Sequence, residues 1–230
     1  MLPGGLADVL AAVDPPPGLA ERVARLTAAY RAHGGAGGPL FRDDHDRLAY
    51  ALVRMPATAV AVAHALDAAG IGAVASHLDL GAGTGAAVWA VRDRLAPGAT
   101  AVAVDRDPGL LALAARLLAA VDAALDARSG DLAAPPPGRW DLVTIAYALG
   151  ELPPERLAAA VDAAWARSGG CLAVVEPGTP RGAATIAAVR ARLLVHGAFL
   201  RAPCPHHGPC PLAGGDWCHV GLRVPRSRLH

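Results

Sequence analysis

The feature that most constrains this chain is a run of three alternating glycines, Gly81, Gly83 and Gly85, placed directly after the apolar segment 74–80. An apolar run of that length predicts a buried strand, and the alanine-rich run that begins at Ala86 predicts a helix. Glycines suit the join because a tight turn needs backbone angles that other residues avoid, and because a ligand can approach bare backbone closely. The sequence therefore predicts a strand, a ligand-binding turn and a helix in direct succession.

The turn resembles motif I of S-adenosylmethionine-dependent methyltransferases, and Asp79 is placed to accept a hydrogen bond from a ligand ammonium or hydroxyl group. A dinucleotide fingerprint, G-x-G-x-x-G/A, also fits, because Ala86 satisfies its last position. A glycine-rich turn that binds nothing is the third interpretation. Residues elsewhere in the chain are needed to choose among the three.

Strand and helix patterns alternate from residue 74 to residue 200. The predicted strands are residues 74–80, 99–105, 127–131, 140–149 and 170–176. Strands that are apolar throughout are typical of a parallel sheet covered on both faces. The pattern predicts an α/β fold with a doubly wound, mostly parallel sheet of the methyltransferase (Rossmann-like) type, whose ligand site lies beyond the carboxyl ends of the strands.

The chain divides into three predicted parts. Residues 1–70 form an N-terminal helical region, with helices at 6–13, 19–33 and 46–69 and a kink or interruption near Pro56. Residues 71–200 form the S-adenosylmethionine-binding domain, with helices that include 84–95 and 108–125. Residues 201–230 form a cysteine-rich metal-binding segment, which we interpret as truncated; a last strand is placed at 219–224.

Composition limits the class of protein but does not identify a function. The chain has 230 residues, 53% of them hydrophobic, which supplies ample material for a core. All 21 basic residues are arginine and the net charge is +1, so charge alone does not predict a nucleic-acid partner. The start does not resemble a signal peptide, and the apolar run 57–75 is broken by His64 and Asp67, which favours a buried helix over a membrane span. We expect a cytoplasmic monomer that does not bind membranes.

Three polar residues extend the predicted site around the glycine turn. Asp105 ends the second strand, where a carboxylate commonly binds ribose hydroxyls, although a helix cap is the alternative. Asp131 follows the third strand and is predicted to face an adenine amino group, or else to serve only in a turn. Tyr147, at the end of the fourth strand, either lines the pocket or belongs to the core. A substrate-facing role for Tyr50 or Arg54 is a weaker hypothesis.

The C-terminal segment carries three cysteines, Cys204, Cys210 and Cys218, in the spacing C-x5-C-x7-C. Thiolates bind zinc or iron–sulfur clusters, and the surrounding prolines stiffen the loop. The segment lacks the paired C-x2-C hooks of zinc fingers, which disfavours zinc, and one protein ligand is missing for either metal. Free thiols on an irregular loop are the alternative.

Six short segments resemble methyltransferase-like proteins associated with the mitochondrial small ribosomal subunit, and their bacterial relatives. They are residues 54–58, 147–152, 175–182, 202–206, 210–212 and 216–219. The resemblance implies a methyltransferase fold, S-adenosylmethionine binding and association with small-subunit ribosomal RNA during ribosome assembly. It also implies a four-iron, four-sulfur cluster held by four cysteines. Cys204, Cys210 and Cys218 match three of these, and the fourth lies beyond the end of this chain. The segment is therefore either truncated or uses a substitute ligand, for which Cys171, His206 and His219 are the candidates.

Two functions from different classes follow from the resemblance. The first is an enzyme that methylates ribosomal RNA, and the second is a non-catalytic assembly factor that uses the same fold to bind that RNA. A small-molecule methyltransferase ranks third. Arginines near the C-terminal end mildly favour an RNA surface, with an ordinary solvated surface as the alternative. They are Arg181, Arg190, Arg192, Arg201, Arg223, Arg226 and Arg228.

Overall fold

Five parallel strands form the sheet in the part of the chain that is described, residues 2–33, 40–204, 206–212 and 216–224 of a computed structural model. The strands are β1 (Val74–Leu80), β2 (Leu95–Asp105), β3 (Asp126–Ser129), β4 (Trp140–Ala146) and β5 (Ser168–Val175). Their order is β3-β2-β1-β4-β5, and every neighbouring pair is parallel. The predicted doubly wound α/β sheet is confirmed.

Helices cover both faces of this sheet. They are α1 (Leu6–Ala11), α2 (Leu19–His33), α3 (Asp44–Ala68), α4 (Ala86–Arg92), α5 (Pro108–Ala119), α6 (Pro154–Arg167) and α7 (Pro180–Val195). Because side chains alternate along a strand, β2 supplies Ala101 and Ala103 to the core under α1, α3, α4 and α5. Val102 and Val104 point the other way, into the core under α6 and α7.

The predicted N-terminal helical region packs into the same core as the sheet. Leu52 and Met55 of α3 are buried in one cluster with Trp89 of α4 and Leu111 of α5. The helix runs through Pro56 without the predicted interruption. By length and hydropathy α3 would also pass as a membrane-crossing helix, a test that buried core helices pass as well. Ten of its residues are buried in the protein.

A buried carboxylate fixes α2 against the start of α3. The Asp46 side chain has no exposed surface and accepts hydrogen bonds from Arg22 at 2.7 Å, from the Arg42 backbone at 2.9 Å and from Arg25. Burial alone would raise the pKa of Asp46, but the guanidinium groups around it hold that pKa well below its ordinary value. Asp43 caps α3 by accepting from the Asp46 backbone N–H.

Several elements differ from the sequence-based prediction; β4, for example, ends at Ala146 rather than at residue 149. β2 begins at Leu95 rather than at residue 99, because its pairing with β1 passes through a bulge that accommodates Gly98 at φ 78°. Helix α5 ends at Ala119, short of residue 125, and Asp122 turns the chain with φ 53°. The predicted strand at 219–224 is wrong: residues 216–224 carry no regular structure.

Candidate functional site

A cavity of about 740 Å³ lies beyond the carboxyl ends of β1 to β4. Its floor consists of the segments that follow each strand, and its roof comes from α2, α3 and the residues between them. Its lining includes Tyr30, Phe41, Arg47, Tyr50, Gly81, Gly83, Asp105, Arg106, Asp131, Tyr147, Glu151 and Arg156. A cavity at this position is the usual ligand site of a doubly wound sheet.

The glycine turn has three different steric environments at its three glycines. All three have positive φ: 71° at Gly81, 53° at Gly83 and 79° at Gly85. A Cβ atom at Gly81 would lie 2.5 Å from the Cβ atom of Ala148, and one at Gly85 would lie 3.1 Å from that of Ala114. A Cβ atom at Gly83 would meet nothing within 4 Å. Gly81 and Gly85 therefore serve packing, whereas Gly83 leaves open space at the cavity wall.

Asp105 joins the end of β2 to the glycine turn. Its carboxylate accepts from the backbone N–H of Gly83 and from that of Asp107, both at 2.8 Å. Burial raises the pKa of Asp105, against the effect of these two hydrogen bonds. A carboxylate has about four lone-pair sites, so two bonds leave capacity for ligand hydroxyls. The helix-cap role considered for Asp105 belongs instead to Asp107, which accepts from the backbone of Gly109 and Leu110.

The structure does not bring Asp79 to the cavity wall. The residue is 1% exposed, and its carboxylate accepts from the Thr144 hydroxyl at 2.7 Å. That hydroxyl lies 2.8 Å from Nε2 of His77, which is also fully buried. Burial raises the pKa of Asp79 to about 7 and lowers that of His77 to about 3. Among the described residues, Asp79 Oδ2 and His77 Nδ1 have no hydrogen-bond partner.

Asp131 and Tyr147 both line the cavity, at opposite sides. Asp131 accepts from the backbone N–H of Ala133 and from Arg156, and these bonds lower the pKa of its carboxyl group. Tyr147 has φ 58°, a left-handed conformation that non-glycine residues rarely adopt. Its backbone N–H donates to the carbonyl of Val175 at 2.8 Å, which ties the residue to the end of β5.

Sequence reasoning missed the roof of the cavity, except for Tyr50. Tyr30 and Phe41 join Tyr50 in the lining, and Glu151 stands opposite them. Arg54, the other weak candidate, donates to the Thr27 hydroxyl at 2.7 Å instead of facing the cavity. One signal was available, since the chain has only three tyrosines and all three are in the lining.

The three C-terminal cysteines are attached to different parts of the fold. Arg190 of α7 donates to the carbonyls of His206 and Gly208, beside Cys204 and Cys210. Trp217, the neighbour of Cys218, donates to the carbonyl of Gly178 just before α7. The two attachment points, Gly178 and Arg190, lie twelve residues apart in the sequence.

Consequently, no group of three His, Cys, Asp or Glu side chains in the described residues is arranged to hold a metal ion. As placed here, Cys204, Cys210 and Cys218 do not fit an iron–sulfur cluster or a zinc ion. The metal centre stays a prediction.

The arginines near the C-terminal end are mostly engaged within the protein. Arg181 donates to the carbonyl of Gly150 at 2.7 Å, Arg190 holds the cysteine loop, and Arg192 pairs with Asp162. Arg201 and Arg223 are exposed, and the RNA surface at these arginines stays a prediction. Arg226 and Arg228 lie outside the described residues.

Comparison with known proteins gives a family match over most of the chain. A family described as mitochondrial small ribosomal subunit Rsm22 matches residues 44–230. The human ribosome assembly protein METTL17, mitochondrial, is 30% identical over 157 residues, an alignment that covers 58% of this chain. The chain spans about one third (33%) of the length of that relative.

Solved structures support the fold. A putative RNA methyltransferase, PH1948 from Pyrococcus horikoshii, superposes with a TM-score of 0.50 at 18% identity, covering 63% of this chain and 71% of that one. The mitomycin 7-O-methyltransferase MmcR gives a TM-score of 0.52 at 21% identity, covering 83% and 63%. At these identities the likeness establishes a methyltransferase-type fold and nothing about substrates.

Proposed function

This chain belongs to the Rsm22 family of the mitochondrial small ribosomal subunit, and from that membership we propose that it is a methyltransferase-like ribosome assembly protein. In this proposal it binds S-adenosylmethionine in the cavity beyond the sheet and acts on, or binds, small-subunit ribosomal RNA. The relative named as a ribosome assembly protein supports the role in assembly. The methyltransferase-type fold supports the choice of donor over a nicotinamide dinucleotide.

The observation that carries the donor assignment is the open space at Gly83. The turn leaves bare backbone at the cavity wall, and the Asp105 carboxylate sits 2.8 Å from the Gly83 nitrogen. A ligand can thus lie against the turn with its hydroxyl groups within reach of Asp105. The residues present fit the polar groups of a nucleoside.

The residues of the turn would hold the donor, and the chemistry needs little more from the protein. S-adenosylmethionine, when bound, supplies a methyl group already activated by its sulfonium. The remaining work is positioning, which the rigid turn and the carboxylate of Asp105 perform. Asp131 lines the same cavity, and in this proposal it accepts from the adenine amino group. Asp79 acts from behind the turn, by holding the end of β1 through Thr144.

Calorimetry tests the donor assignment. S-adenosylmethionine should bind the wild-type protein and should fail to bind a Gly83→Val variant, because the added side chain fills the space against the turn. Oxidised nicotinamide adenine dinucleotide is the comparison ligand. Binding of the dinucleotide without any binding of S-adenosylmethionine would show that the turn is a dinucleotide site.

Catalysis and simple RNA binding are separated by a transfer assay. Purified small-subunit RNA is incubated with the protein and with S-adenosylmethionine that carries a labelled methyl group. Label in the RNA identifies an RNA methyltransferase. RNA binding with no transferred label identifies the non-catalytic assembly factor, and transfer only to small molecules identifies the third alternative.

The metal centre at Cys204, Cys210 and Cys218 is a separate proposal. The cysteine spacing and the family resemblance support it, whereas the described conformation does not gather the thiols. Iron, sulfide and zinc are measured per chain after anaerobic purification, for the wild type and for Cys210→Ser. Stoichiometric iron and sulfide that Cys210→Ser loses would support the cluster, stoichiometric zinc would replace it, and metal-free protein would remove the metal from the proposed function.

A further inference from the structure

All three tyrosines of the chain line the cavity. Tyr30 comes from α2, Tyr50 from α3 and Tyr147 from the end of β4, so three distant stretches of sequence meet. Phe41 adds a fourth ring to the lining. Aromatic residues are only 4% of the chain, so this concentration marks the surface as distinct from the rest of the cavity wall.

The rings are held in a defined arrangement. Those of Tyr30 and Tyr50 stack with centroids 6.0 Å apart and an interplanar angle of 20°. Phe41 meets Tyr50 edge to face at 5.4 Å and 76°. Each ring is half-buried and therefore remains partly accessible from the cavity. Flat, preorganised rings that keep accessible surface suit the stacking of a planar ligand.

A carboxylate faces this aromatic surface. Glu151 accepts from the Tyr30 hydroxyl at 2.9 Å through one oxygen and from Arg106 at 3.0 Å through the other. Burial raises the pKa of Glu151, against the effect of these hydrogen bonds. Further lone pairs stay available for N–H donors of a ligand. The site thus offers a stacking face together with an acceptor for a nitrogenous group.

The aromatic surface borders the donor residues but is built from other segments, since Glu151 accepts from Arg106, the neighbour of Asp105. Gly81, Gly83, Asp105 and Asp131 follow β1, β2 and β3, whereas Tyr147 and Glu151 follow β4, on the other side of β1. A second ligand on the aromatic surface therefore lies next to a donor held at Gly83 and Asp105.

The backbone at Tyr147 gives independent support. A bulky residue at φ 58° is strained, and such strain persists where the surrounding structure holds it and is concentrated at functional sites. The hydrogen bond to Val175 holds the backbone, and the ring lies in the cavity lining rather than in the core. The strain thus positions an aromatic ring beside the donor site.

We propose that an unpaired nucleobase of single-stranded RNA binds at the β4 side of the cavity, which is formed by Tyr30, Tyr50, Tyr147 and Glu151. The base stacks on the aromatic rings, and its N–H groups donate hydrogen bonds to the carboxylate. The inference rests on the proposed function, which supplies RNA as the partner. Stacking of bases on aromatic side chains tolerates any base, because every base has a π face.

A short single-stranded RNA that contains 2-aminopurine tests the subsite, because stacking quenches the fluorescence of that base. Binding to the wild-type protein, with S-adenosylhomocysteine present, should quench the signal. Tyr50→Leu should weaken RNA binding about tenfold and abolish most of the quenching, because the stacking ring is gone. Tyr50→Phe, which keeps the ring, should retain both.

Two further variants make the experiment decisive. Phe199→Leu removes an aromatic ring that is 78% exposed, far from the cavity lining, and should behave as wild type. Phe41→Leu serves as a second probe of the rings if Tyr50→Leu does not fold, as judged by binding of S-adenosylhomocysteine.

The outcomes separate this inference from the proposed function. RNA that binds without quenching, or quenching that persists in Tyr50→Leu and Phe41→Leu alike, would overturn the subsite and leave RNA binding intact. No RNA binding, with S-adenosylhomocysteine still bound, would overturn both the subsite and the RNA part of the proposed function.

Discussion

At the scale of single residues, Gly81 and Gly83 share a left-handed backbone but differ in what surrounds them. An alanine at either position would have to adopt a φ above +50°, which costs about 1–2 kcal/mol of folding free energy. At Gly81 the added carbon would also lie 2.5 Å from Ala148, and such overpacking typically costs about 1–3 kcal/mol more. Comparing alanine variants at the two positions therefore separates the cost of backbone strain from the cost of the steric clash with Ala148.

We predict that Gly81→Ala lowers the free energy of unfolding more than Gly83→Ala does, by about the 1–3 kcal/mol of the clash. Urea unfolding of both variants measures the difference, and Gly72→Ala, with open space and an ordinary φ, is the control. Equal losses at the two positions would mean that Ala148 moves away without cost.

The opposite pKa shifts of Asp79 and His77 should partly cancel in the pH dependence of the unfolding free energy. A carboxyl group whose pKa rises from 3.8 to about 7 binds its proton more tightly when folded, so its contribution to stability falls as pH rises through that window. An imidazole whose pKa drops from 6.5 to about 3 stays neutral when folded, so its contribution rises with pH between those values. Between about pH 4 and 6.5 the two slopes oppose each other.

We predict that Asp79→Asn exposes the histidine slope. Relative to wild type, the unfolding free energy of the variant should rise by up to about 1.4 kcal/mol more per pH unit between pH 4 and 6.5. Glu176, whose pKa burial raises to about 7, contributes equally to both proteins. Urea titrations at four pH values measure the slope. The double variant Asp79→Asn, His77→Gln should lose the added slope, and parallel curves for wild type and Asp79→Asn would refute the compensation.

At the scale of elements, the attachment of α2 to α3 depends on one buried charge. Asp46→Asn removes the buried carboxylate that Arg22 and Arg25 share, so that Arg22 keeps only its pair with Asp43, and breaking a buried ion pair from one side costs about 3–5 kcal/mol. Asp44 lies two residues earlier on the same helix, 93% exposed, and pairs with Arg47. Asp44→Asn should cost less than about 1 kcal/mol. Chemical denaturation of the two variants compares them, and similar losses would show that Asp46 contributes no more than a surface charge.

The elements also show what could be predicted from the sequence. The run from Val74 through Gly85 specified strand, turn and helix start locally, because a continuous apolar run and glycines act within a few residues. The convergence of Tyr30 and Tyr50 on the cavity was not predictable in that way, since it depends on how α2 and α3 pack over the sheet. Burial of Asp79 was missed for the same reason: only the β1–β4 pairing places Thr144 against its carboxylate.

At the scale of the whole molecule, the shared core predicts one unfolding transition. Because Leu52 and Met55 of α3 are buried with Trp89 and Leu111, residues 44–68 have no separate core in the described structure. Calorimetric melting should therefore show a single peak. S-adenosylmethionine at 100 times its dissociation constant should move that peak upward as a unit, by the equivalent of about 2.7 kcal/mol. Two peaks, with only one responding to the ligand, would mean that the helical region folds by itself.

Helix α3 is buried by segments that are synthesised after it. This helix leaves the ribosome before the segments that cover it, since α5 ends 51 residues later, at Ala119. At about 5–20 residues per second, its apolar face waits roughly 3–10 seconds for those partners. During that interval the nascent chain presents a 25-residue helix with the length and hydropathy of a membrane span. We therefore expect α3 to be exposed to other apolar surfaces until α4 and α5 have been synthesised.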